Sequence, residues 1–160
     1  MKLKKIIAIS SLIMTVTTLT ACNFTTEHTY KGIKYEITSD YNLQRNEKSD
    51  ILRTENADIE IVQSESELGR LIRDSAYIEE YDVIYQTDNL KINDIYFSKI
   101  IMEYSDKTQL NSRFTSIEYC FSINGSVYKI SAEHIPDTTD IKLVEDEIHE
   151  LLENLDISWT

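Results

Sequence analysis

The dipeptide Asn124-Gly125, set between two runs that alternate apolar and polar residues, is the feature that most narrows what this chain can become. A two-residue hairpin loop of type I′ needs two successive residues with positive φ, and Asn-Gly supplies them at the smallest steric cost. Such a turn dictates the register on either side of it. With Asn124 and Gly125 as the loop, Ile123 lies opposite Ser126, Phe121 opposite Tyr128, Tyr119 opposite Ile130 and Ile117 opposite Ala132, which builds one aromatic and aliphatic face. The same register sets Cys120 opposite Lys129 and Glu118 opposite Ser131, so the other face is expected to be the more polar one.

Alternation extends the pattern in both directions. Residues 30–38 place Ile33, Tyr35 and Ile37 on one side and Lys34 and Glu36 on the other, and strands are also expected over 51–62, 83–87, 91–104 and 114–124. Residues 39–48 are polar and turn-like. Helical spacing occurs in two places. Ser64 with Glu67 forms a capping box ahead of Leu68, Leu71 and Ile72, which predicts a helix over about 65–78. After Pro136, Asp137 and Asp140 can cap and charge a second helix, whose buried stripe is Ile141, Val144, Ile148, Leu151, Leu152 and Leu155, with Lys142, Glu145, His149 and Glu153 toward solvent. Residues 156–159 suit a short closing strand. A chain that is 41% hydrophobic with ten tyrosines is too apolar for a disordered tether. The expectation is a single α+β domain with a mostly antiparallel sheet flanked by helices.

Two stretches add a resemblance. Gly32-Ile33-Lys34-Tyr35-Glu36-Ile37-Thr38-Ser39-Asp40-Tyr41 is similar to the opening strand and corner of the PsbP-like superfamily, and Leu151-Leu152-Glu153-Asn154-Leu155-Asp156-Ile157 to its closing helix and strand. The resemblance spans nearly all of residues 30–159, although Thr38 and Tyr41 stand where Pro and Trp are more typical, and a cystatin-like or other single-sheet fold shares the pattern. It implies an α/β/α sandwich, an antiparallel sheet between helices, and accessory or binding roles without a shared catalytic site.

The N-terminus carries an address. Lys2, Lys4 and Lys5 precede an apolar stretch over residues 6–19, shorter than the roughly 20 residues a membrane span needs. It closes on Leu19-Thr20-Ala21-Cys22, which resembles the lipobox of bacterial lipoproteins. That resemblance implies cleavage between Ala21 and Cys22, a diacylglycerol on the Cys22 sulfur, and anchoring by acyl chains in the outer, extracytoplasmic face of the cell membrane; two chains hold firmly where one holds marginally. The expected partition is a signal peptide over 1–21, a short tether over 22–29 and the domain over 30–160. An uncleaved anchor, or an ordinary signal peptide with an incidental cysteine, is the competing reading.

Charge and chemistry limit the functions. The formal charge is −12, and loss of the three leader lysines would bring it to about −15. Such a surface repels phosphate backbones and anionic headgroups, which argues against nucleic acid and electrostatic membrane docking and leaves simple solubility or a cationic partner. If Cys22 is acylated, Cys120 has no disulfide partner. His28, His134 and His149 show no metal-ligand spacing; Glu145 and His149, one helical turn apart, read as a solvated ion pair. Cys120 is the one candidate nucleophile, since Lys129 across the strand would favour a thiolate, but no base or oxyanion donor accompanies it and a structural thiol is the plainer reading. Tyr81, Tyr85, Tyr96, Tyr104, Tyr119 and Tyr128 suit a core, an edge or a recognition surface. No catalytic residue, metal or cofactor is therefore expected. The leading expectation is a non-catalytic, membrane-tethered binding or accessory domain that serves an envelope protein. The alternatives are an immunity or protective lipoprotein that captures a cationic peptide, and an envelope hydrolase or thiol enzyme.

Overall fold

Asn124 and Gly125 take positive φ, 50° and 80°, and the strands they join pair in the expected register from Ile123 with Ser126 down to Ile117 with Ala132. In the computed structural model, residues 25–38, 40–64, 78–106 and 112–156 are described. They form β1 (Thr25–Tyr30), β2 (Ile33–Thr38), β3 (Asn42–Arg45), β4 (Ser49–Arg53), β5 (Asp58–Ser64), β6 (Ile78–Ile92), β7 (Ile95–Asp106), β8 (Arg113–Ile123), β9 (Ser126–Pro136), α1 (Ile141–Glu153) and β10 (Leu155–Asp156). Seven strands make one antiparallel sheet in the order β3-β4-β5-β9-β8-β7-β6, and three make a smaller one, β1-β2-β10. The Asn124-Gly125 hairpin therefore lies near the middle of the large sheet, and β6 and β3 are its edges.

The small sheet and α1 share the core of the large sheet. Ile33, Tyr35 and Ile37 of β2 join Leu52, Ile59, Ile61, Ile117, Tyr119, Phe121, Tyr128 and Ile130 in one buried cluster with Val144, Ile148, Leu151 and Leu152 of α1. Each such side chain buried contributes about 1.5–3 kcal/mol. Asp140 caps α1, accepting the Lys142 amide at 3.0 Å. The fold is a mostly antiparallel α+β domain. Among the described residues, however, there is one helix, and it lies on one face, so the expected flanking of the sheet by helices on both sides is not what these residues form; strands take up most of the remaining described chain.

Several boundaries differ from expectation. Residues 25–29, expected within the 22–29 tether, belong to β1, because Lys31 and Gly32 both take positive φ and fold the chain back into a hairpin that pairs Tyr30 with Ile33. Residues 51–62 are two strands, since Thr54 closes a turn by accepting the amides of Asn56 and Ala57 on its hydroxyl. Residues 91–104 are split by a turn at Asn93 (φ 52°), so β6 and β7 are a hairpin with Ile92 opposite Ile95. Polar residues 39–48 contain β3. The expected helix over 65–78 falls outside the described residues except for Ile78, which opens β6, and the leader, Ala21 and Cys22 are likewise outside them.

Candidate functional site

The edge strand β6 is where the large sheet and solvent meet. Its pairing with β7 slips at three points, between Ile78 and Glu80, Val83 and Tyr85, and Thr87 and Leu90. Each slip is a bulge, which inserts a residue, bends the strand and redirects side chains. The middle bulge delivers two neighbours to the α1 side: Ile84 lines a groove with Ile101, while the Tyr85 ring sits 5.2 Å from Lys99 Nζ, which itself pairs with Glu145 of α1. Val83, Ile84 and Tyr85 remain 46%, 56% and 47% exposed. Ile84 and Tyr85 thus stand as exposed apolar neighbours on the α1 face, with Ile84 in the wall of a concavity, and exposed apolar surface beside a concavity is characteristic of interaction sites.

The groove has a volume of about 460 Å³, within the range of ligand-binding clefts. Its apolar lining comes from Ile84, Ile101, Phe114, Pro136 and Ile141, and its mouth is set by the turn in which the Thr139 amide donates to the Pro136 carbonyl ahead of α1. Glu103, Asp137 and Asp140 also line it, and Arg113 is the one cation among the described lining residues. Arg113 is shared loosely between two carboxylates, with Nη2 3.4 Å from Asp82 of β6 and 3.6 Å from Glu103 of β7. All three side chains are open to solvent, so these pairs contribute little to stability.

A second concavity, of about 450 Å³, lies at the other end of α1 among Thr38, Asp40, Tyr41, Thr54, Glu55, Asn56, Glu147 and Glu150. Glu147 is occupied, accepting from the Thr54 hydroxyl at 2.8 Å and the Asn56 amide at 2.6 Å. Burial, reinforced by Glu150, Glu147 and Asp40, pushes the Tyr41 hydroxyl up to about 12, so it stays protonated.

The large sheet's second face holds the sequence's one candidate nucleophile. Ser116, Glu118 and Cys120 of β8 share this face with Lys129 and Ser131 of β9, and Ser116, Glu118, Cys120 and Ser131 are buried. Of the two readings of Cys120, the structure favours the plainer one, a structural thiol, over a thiolate promoted by Lys129. Burial pushes the thiol up to about 12, the Glu118 charge adds to it, and Lys129 opposes too weakly. Lys129 is engaged elsewhere, 2.8 Å from Glu133 and 3.8 Å from Glu118. Cys120 is a packed, inert thiol.

The remaining residues singled out by sequence are scattered. Glu145 and His149 do not pair with each other: Glu145 pairs with Lys99, and His149 Nδ1 lies 3.4 Å from Glu153. His28 stacks on Tyr35, and His134 lies against Tyr104 and Phe114. Among the described residues no group of three or more His, Cys, Asp and Glu is placed to hold a metal ion. Asp140 serves as helix cap and groove wall together. Sequence reasoning missed Ile84, Glu103 and Arg113. The signal was present, because Val83-Ile84-Tyr85 breaks the period of two that a regular edge strand would keep.

No family model matches the chain, and no curated protein matches it by sequence. Several solved structures share its shape, among them the following three. The solution structure of cyanobacterial PsbP from Synechocystis superposes with a TM-score of 0.56 at 6% identity, covering 83% of this chain and 92% of that one. A Pseudomonas aeruginosa protein of unknown function gives 0.52 at 10% identity, over 85% and 99%. A Bacteroides thetaiotaomicron crystal structure gives 0.52 at 12% identity over 79% of this chain, which spans 45% of that protein's length. At such identities the likeness concerns fold alone, and the fold is PsbP-like.

Proposed function

We propose that this chain is a lipoprotein whose folded domain, held on the outer face of the cell membrane through acylated Cys22, is a non-catalytic binding module for an envelope protein, and that the groove beside β6 is where the partner docks. The observation that carries the reading is the exposed Ile84-Tyr85 pair, set on the α1 face by a bulge, with Ile84 lining an apolar concavity of ligand size. The lipobox-like Leu19-Thr20-Ala21-Cys22 supports the anchor, and a tether that ends by Thr25, where β1 begins, would keep the domain close to the bilayer. Among the described residues no helix is long and apolar enough to cross a membrane. The inert Cys120 favours binding over a thiol mechanism.

Two experiments separate the parts. Labelling of cells with a clickable fatty acid should mark the protein and lose the mark in Cys22→Ser; label that persists in the variant removes the anchor. A photo-crosslinking amino acid at position 84 should capture one discrete partner, and the same probe at exposed Glu36, on the small sheet, should not. Equal capture at both positions, or none at either, removes the docking site.

A further inference from the structure

Building on that docking reading, we infer that the β6 groove selects a segment carrying an aliphatic side chain next to basic residues, recognised through its side chains and not by adding a strand to the sheet edge. The chemistry of the walls requires the first half. The apolar floor of Ile84, Ile101 and Ile141 accepts an aliphatic group, and the carboxylates of Asp82, Glu103, Asp137 and Asp140 lie around it, outnumbering Arg113. An acidic ligand would meet a net negative field on its approach, whereas a cation is drawn in.

The edge geometry requires the second half. Strand addition needs a run of regularly spaced main-chain groups, and β6 offers no such run: its bulges leave regular stretches of only a few residues. Natural sheets protect edges in this way. What the middle bulge presents outward is the Ile84 side chain.

Arg113 then has a definite place. Its guanidinium rests between Asp82 and Glu103 at 3.4 and 3.6 Å, distances too long for a committed bidentate pair. It occupies the position a partner's cation would take, and an incoming lysine or arginine competes with it. Removing the Arg113 charge should therefore tighten binding of a basic ligand, the opposite of the effect expected if Arg113 were itself the recognition element for an acidic one.

The test uses the full-length chain in neutral detergent and two fluorescent synthetic pentapeptides, Lys-Leu-Lys-Leu-Lys and Glu-Leu-Glu-Leu-Glu, followed by polarisation. The basic peptide should bind and weaken at high salt, and the acidic one should not bind. Ile84→Ser, which removes the aliphatic contact without adding charge, should weaken the basic peptide about 10-fold, Arg113→Gln should tighten it by about 3-fold or more, and Glu150→Gln in the other concavity should leave it unchanged. Ile84 and Arg113 are exposed, so both variants should fold, and thermal melts confirm it. Preference for the acidic peptide, weaker binding in Arg113→Gln, or loss that follows Glu150→Gln and ignores Ile84→Ser would each overturn the inference. If the peptides fail while crosslinking at position 84 still captures a discrete partner, the charge selection is wrong and the docking site survives; if both fail, the docking reading itself is lost.

Discussion

Two buried carboxylates sit on opposite faces of the same sheet, and they are served very differently. On the α1 side, Asp50 of β4 is fully buried and fully bonded: Arg45 Nε and Nη2 each donate at 3.0 Å, and the Tyr35 hydroxyl donates at 2.6 Å. This one side chain pins β2 of the small sheet to the β3-β4 hairpin of the large sheet. Burial and the hydrogen bond to Asp50 push the Tyr35 hydroxyl upward, so it remains a donor at every relevant pH. On the other face, Glu118 meets Lys129 at 3.8 Å, and among the described residues its Oε2 has no hydrogen-bond partner, nor do the hydroxyls of Ser116 and Ser131 on the same face. Burial pushes the Glu118 carboxyl up to about 7, with Lys129 opposing and Glu133 adding. A buried charge stabilises only when its lone pairs are satisfied. The first carboxylate holds the two sheets together, while the second weakens the face it sits on.

The largest test of that contrast is Asp50→Ala. It strands the buried Tyr35 hydroxyl and releases Arg45, and urea unfolding should report a loss of about 3–5 kcal/mol. A loss below about 1 kcal/mol would erase the distinction between the two sites. The next test is pH. Because the folded-state pKa of Glu118 is raised from 4.5 to about 7, the folded chain holds a proton that the unfolded chain gives up. Its contribution is therefore fully present below about 4.5 and is lost as pH rises to about 7, on the order of 3 kcal/mol in all. Glu118→Gln should flatten that part of the profile, so the variant becomes relatively more stable above about pH 7. Parallel profiles for the two proteins would sink the assignment.

A smaller effect is expected from Cys120→Ala on the same face, about 1 kcal/mol of lost packing. In a Cys22→Ser background, native Cys120 should react with a thiol reagent at about pH 8 orders of magnitude more slowly than in urea, because the thiol is both buried and held protonated. Rapid native labelling would mean the face opens easily. The smallest effect belongs to the docking edge: Ile84→Ser should move stability by no more than about 0.5 kcal/mol, since more than half of the residue is exposed. A larger loss would make Ile84 a core residue and not a contact for a partner.

Legibility from sequence followed the range of the forces. The Asn124-Gly125 hairpin and its register were readable because a φ requirement at two adjacent residues sets the pairs from Ile123 with Ser126 down to Ile117 with Ala132, where a bulge intervenes. Helix α1 was readable for a similar reason, with Asp140 at its cap and Val144, Ile148, Leu151 and Leu152 on the buried stripe. Glu145, assigned to solvent by the same periodicity, instead meets Lys99 of β7, a residue 46 positions away. The Thr54 turn was passed over because alternation on either side masked it, and the Lys31-Gly32 turn because the polar residues ahead of it read as a tether and not as a strand. The bulge that exposes Ile84 was written in the broken alternation at 83–85, but its meaning depended on β6 being an edge.

What the sequence alone determined is local: the positive-φ pair Asn124-Gly125, a capped amphipathic helix and the alternation that assigns side chains to faces. Which carboxylate finds three donors and which finds one distant amine, and which strand is left at the margin, were decided only by the tertiary structure. Propensity and pattern act over a few residues, whereas burial and charge pairing depend on neighbours that the chain brings together from positions far apart.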